Sequence, residues 1–78
     1  MSKGTAKVLI VSNEDDWEGI YINGRLASEG HRMSAHDILD TLKGYLLVGY
    51  EFRTCDREWL LGLGNLPDSA DRIRWQRP

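Results

Sequence analysis

Seventy-eight residues, with ten Lys and Arg against twelve Asp and Glu, carry a formal net charge of −2 at pH 7. That length holds one hydrophobic core, so residues 1–78 are expected to form a single domain. A balance this close to neutral excludes a general nucleic-acid binder, and 28% charged with 41% hydrophobic residues excludes a disordered chain.

In chain order, residues 7–12 (KVLIVS) are a β-branched apolar run without alternation, the pattern of a central strand buried on both faces. Residues 13–16 (NEDD) break it with turn formers that bond their own backbone. Residues 20–22 and 25–27 flank Asn23 and Gly24, the strongest short-range hairpin signal. A two-residue loop pairs Ile22 with Arg25, Tyr21 with Leu26 and Ile20 with Ala27. Tyr21 and Leu26 then share one face, and Ile20, Ile22 and Ala27 the other. The hairpin is expected to join the first strand in a three-stranded antiparallel meander.

Ser34, Ala35, His36 and Asp37 open a helix with a capping-box pattern in which Asp stands for the usual Glu. Ile38, Leu39, Leu42 and then Tyr45 or Leu46 lay an apolar stripe at three- and four-residue spacing, and Gly44 stops the helix. Residues 45–52 are apolar and aromatic around Gly49 and read as a strand. Residues 56–61 predict a second, short helix with acid near its start, ended by Gly62 and Gly64. Residues 72–75 alternate polar and apolar, as a charged edge strand does. The order βββαβαβ predicts an α+β fold: an antiparallel meander of about four or five strands, a main helix on one face, and the other face partly exposed.

The charges separate along the chain. Residues 1–51 sum to −3 and residues 52–78 to +1. Glu14, Asp15, Asp16 and Glu18 surround Trp17, a stretch that reads either as a solvated loop whose Trp17 packs under the sheet or as a contact surface, an aromatic among carboxylates of the kind enriched at binding hot spots. Clustered carboxylates also suit a hard cation, but Trp17 stands where an EF-hand needs Asp or Asn, so no metal site is expected. At the other end Arg72, Arg74 and Arg77 interleave with Trp75, and Arg53 with Arg57 adds two more cations. That chemistry holds a nucleic-acid backbone and stacks a base, or simply charges an edge strand. Arg53 and Arg57 bracket Cys55 and would lower its pKa, yet no oriented base accompanies it. Gly62 and Gly64 lack the third glycine and the strand-to-helix setting of a dinucleotide loop. No catalytic residue and no cofactor is therefore expected.

Residues 1–5 lack the apolar core of a secretion signal, and the apolar residues 8–11 are too few to span a bilayer. With Cys55 as the single cysteine, the expectation is a cytoplasmic protein without disulfides or membrane contact.

Residues 16–26 (DWEGIYINGRL), then Glu29, Gly30 and His31, then residues 34–39 (SAHDIL), resemble as a unit a loose group of short uncharacterised proteins of phages, prophages and other mobile elements. A weaker echo runs through residues 58–60 and 66–67. The resemblance covers the middle third of the chain and transfers no catalytic residue. It implies a setting in which small domains act by occluding a host machine, anti-CRISPR proteins among them. The expected function is therefore a non-enzymatic inhibitor whose face at Glu14, Asp15, Asp16, Trp17 and Glu18 occupies a basic site on a host protein, such as a CRISPR effector subunit. Two alternatives stand beside it. One is a nucleic-acid-binding accessory using Arg53, Arg57, Arg72, Arg74, Trp75 and Arg77. The other is a structural protein, a monomer or weak homodimer joined through sheet edges or the second apolar face of the hairpin.

Overall fold

The computed structural model describes residues 4–14 and 17–76. Four strands, β1 (Thr5–Ser12), β2 (Glu18–Ile22), β3 (Arg25–Gly30) and β4 (Leu46–Thr54), form one sheet in the order β3-β2-β1-β4. Two helices, α1 (Ala35–Thr41) and α2 (Arg57–Leu63), and a 3-10 turn (Ala70–Arg72) complete a single α+β domain.

The hairpin forms where its sequence predicts. Asn23 (φ 53°) and Gly24 (φ 86°) adopt the left-handed conformations that a two-residue turn requires. Asn23 also clips the turn to β1. Its amide donates to Lys7 O at 2.9 Å, its Oδ1 accepts from Lys7 N at 2.9 Å, and its Nδ2 donates to Thr5 O at 3.0 Å. Ile22 pairs with Arg25 and Tyr21 with Leu26, but Ile20 pairs with Ser28 rather than Ala27. A bulge at Ala27 turns that side chain to solvent and re-aims the strand.

β1 is the central strand, antiparallel to β2 and parallel to β4. The wholly antiparallel arrangement expected of the sheet is thus corrected at its fourth strand. α1 carries the chain from β3, at one edge, over the sheet to the opposite edge, and such a crossover delivers the next strand parallel to β1. Ser34 caps α1 with a complete capping box: its Oγ accepts from Asp37 N at 3.2 Å while Asp37 Oδ2 accepts from Ser34 N at 3.0 Å. Asp56 caps α2, its Oδ1 accepting from Trp59 N at 3.0 Å.

Both faces of the sheet are used. Ala6, Val8, Ile10, Ile20 and Ile22 lie under α1, where Met33, Ile38, Leu42 and Tyr45 pack on them. Val11 and Tyr21 face the other way, against Cys55, Leu60, Leu66 and Ile73. The second face is therefore covered, contrary to expectation, by α2 and the segment after it. That segment is also not the fifth strand expected at residues 72–75. Ser69 caps the 3-10 turn instead, and the extended residues beyond it make one bridge, Cys55 to Trp75. A chain that drops Ile73 into the core beneath the sheet cannot also run the length of an edge.

Candidate functional site

The acidic stretch is the first surface that the sequence nominates. Asp15 and Asp16 lie outside the described residues. Glu14 is exposed, with φ 71°. Trp17 is half-buried and packs on the core cluster of Tyr21 and Leu66. Its Nε1 donates to Glu29 Oε1 at 3.1 Å, and its ring meets His31 edge-on at 5.2 Å between centroids. Buried Asn13 ties the loop back through Trp17 N to its Oδ1 and its own amide to Trp17 O, both at 3.2 Å. Glu18 accepts from Met33 N at 2.9 Å. Two of the five nominated side chains are thus engaged within the fold. Glu29, which sequence reasoning did not single out, organises the region, because the same Oε1 accepts from Leu66 N at 3.0 Å.

The cationic set is brought partly together. Arg53 lies over the Trp75 ring, 3.9 Å from its centroid, and the Cys55–Trp75 bridge fixes that ring beside the end of β4. Asp56 N donates to Arg74 O at 2.8 Å, so Arg74 belongs to the same corner. Arg57 opens α2 next to Glu58, Arg72 sits on the 3-10 turn, and Arg77 lies outside the described residues. Asp56 and Glu58 intersperse the cations, and the guanidinium on Trp75 takes up one face that a base would stack on. Cys55 is enclosed at 1% exposure, and burial pushes its thiol up, with Asp56 adding to the effect. The lowering expected from Arg53 and Arg57 is not found, because the enclosed thiol loses more by desolvation than nearby exposed guanidinium groups return. Among the described residues no three His, Cys, Asp or Glu side chains group as metal ligands, and no helix is long and apolar enough to cross a membrane.

A third surface, on β4, is the one that sequence reasoning missed. A strand apolar on both faces belongs in the middle of a sheet, where helices cover it. β4 has that composition and lies at the edge. Leu46, Leu47, Val48, Tyr50 and Phe52 are between 47% and 68% exposed. The register with β1 assigns their faces. Leu47, Tyr50 and Phe52 pair with Ala6, Val8 and Ile10 and so stand on the α1 face, whereas Glu51 and Arg53 share the α2 face with Leu9 and Val11. Tyr50 and Phe52 meet edge-on, 5.9 Å between centroids. A helix about 10 Å across covers about two strands spaced about 4.8 Å apart. α1 covers β1 and β2, so nothing remains to cover β4. The signal was present in LLVGYEF, but its reading as a docking edge depends on a strand order that local pattern does not carry.

No family model, curated protein or solved structure matches the chain.

Proposed function

We propose that this protein is a non-enzymatic docking module that engages another polypeptide along β4. The observation that carries this reading is a nine-residue edge strand whose apolar side chains, with Leu47, Tyr50 and Phe52 together on the α1 face, stand in solvent. Such an edge offers backbone donors and acceptors together with side-chain contacts, the two components of strand addition. Left open, it is also an aggregation hazard that natural sheets blunt with charge, proline or a cover. Glu51 and Arg53 are the only charges on β4, and neither lies on the aromatic face. The acidic-inhibitor and nucleic-acid readings draw less support, since Trp17 and Glu18 are bonded internally and Arg53 rests on Trp75.

The test is site-specific photo-crosslinking in cells producing the chain. A photoreactive residue at Phe52 is expected to give a discrete protein adduct, whereas one at Leu63, exposed on α2, gives none. Absence of any adduct from Phe52 would refute docking at β4.

A further inference from the structure

Resting on that reading of β4, we infer that its occupant is a second copy of this chain, paired antiparallel about a two-fold axis at Tyr50 to make one continuous eight-stranded sheet. The first support is that the two edges of the sheet differ. Each edge strand carries one bulge, β3 at Ala27 and β4 at Val48, but β3 is also overlaid at its start, where Leu26 N donates to Asp68 O and Ala70 N to Gly24 O, each at 2.8 Å. On β4, among the described residues, the C-terminal segment covers the far end, through Gln76 N to Thr54 O at 3.0 Å and Asp56 N to Arg74 O at 2.8 Å. One long open edge per chain joins to its equivalent and closes at two copies, whereas two open edges would propagate a fibre.

The second support is register. Cys55 N donates to Ser12 O at 2.8 Å, toward β1, while Thr54 O accepts outward from Gln76. Strand alternation then aims the backbone groups of Gly49, Glu51 and Arg53 at β1, and those of Tyr50 and Phe52 at the open side. Residues opposed across an antiparallel pair are of one kind, so a two-fold axis falls on a residue. An axis at Glu51 sets two carboxylates face to face. One at Phe52 needs the Thr54 carbonyl that Gln76 already holds. An axis at Tyr50 avoids the first and meets Thr54 only at the end of the ladder, opposite Leu46 of the second copy, whose own amide is held by Gly4 O at 2.9 Å. It sets Glu51 against Gly49 of the second copy and Phe52 toward Val48 of the second copy, the residue at which β4 bulges in its pairing with β1. The aromatic rings of both chains then form one row on the α1 side.

The third support is area. Buried aromatic side chains remove roughly 150–250 Å² each, and Tyr50 and Phe52 are about two-thirds exposed, with Leu46, Leu47 and Val48 beside them. Several hundred Å² of apolar surface per chain approaches the roughly 800 Å² per partner of a standard interface. A net charge of −2 opposes self-association only weakly.

Sedimentation of the purified full chain across the micromolar range is expected to show a monomer–dimer equilibrium. Phe52→Asp and Tyr50→Pro are expected to weaken it at least roughly 30-fold, the effect of losing a hot-spot contact, with an unchanged circular dichroism spectrum. Leu61→Asp, on exposed α2 surface, leaves it unchanged. In a Cys55→Ser background, Tyr50→Cys is expected to oxidise to a disulfide dimer, because opposed residues there stand about 5.5 Å apart. A dimer indifferent to Phe52→Asp, or one in which Tyr50→Cys does not cross-link, overturns this interface. A monomer at every concentration whose Phe52 photo-adduct is a different protein overturns the second copy and leaves docking at β4 standing. A monomer with no adduct overturns both.

Discussion

Tyr21 bears a double constraint, since its ring is fully buried and its hydroxyl donates to the Pro67 carbonyl, joining β2 to the turn after α2. Burial, with the Glu29 charge adding to it, holds that hydroxyl above the usual tyrosine range, so it remains a donor throughout the physiological range. Tyr21→Phe keeps the ring and strands the carbonyl. A loss of about 1–3 kcal/mol is expected, read as a lower urea midpoint with an unchanged slope. An unchanged midpoint would mean that Pro67 finds another donor. Gly19 has a similarly fixed role: an added Cβ there would collide with the Leu66 side chain. Trp17 illustrates what a residue's neighbours in sequence conceal. Among carboxylates it resembles an exposed anchor, yet its indole is held by Glu29, twelve positions on.

At the scale of elements, α1 has seven residues, too few to be stable alone. Its capping box and the packing of Ile38 and Leu42 hold it. The Ser34 amide and hydroxyl both donate to the Asp37 carboxylate and keep its pKa below the ordinary value. A depressed folded-state pKa contributes stability above the unfolded value, about 3.9, and that contribution is lost as pH falls through the folded value. The Ser34 amide resonance is therefore expected to titrate with a midpoint below about 3.9, and Asp37→Asn to abolish the titration. A midpoint at or above the ordinary value would contradict the capping geometry. β4 shows the opposite situation. Its strand propensity was legible, but its environment was not, because a single short helix covers only half of a four-stranded sheet.

At the scale of the molecule, the last segment closes the core. Ile73 is buried against the cluster of Val11, Tyr21 and Leu60 on the face that α2 alone would leave incomplete. Ile73→Ala is expected to cost about 2–5 kcal/mol, a large part of the roughly 4–12 kcal/mol available to a domain of this size. Calorimetry should show a melting temperature lowered by well over ten degrees or no cooperative transition; a shift of only a few degrees would make the segment peripheral. The same closure explains why residues 72–75 are not a full strand and why one end of β4 is covered while the rest stays open.

The sequence by itself determined what is decided within a few residues: the turn at Asn23 and Gly24, the cap at Ser34, the acidic start of the second helix, the buried run of β1, and the faces of Tyr21 and Ile20. Each follows from backbone conformations or hydrogen bonds whose partners lie close along the chain. Tertiary structure alone decided that β4 lies parallel to β1 at an edge, that Ile73 enters the core, that Trp17 turns inward and that LLVGYEF remains uncovered. Those outcomes depend on which distant segments compete for the same faces and edges of one sheet, and residues dozens of positions apart carry no local record of that competition.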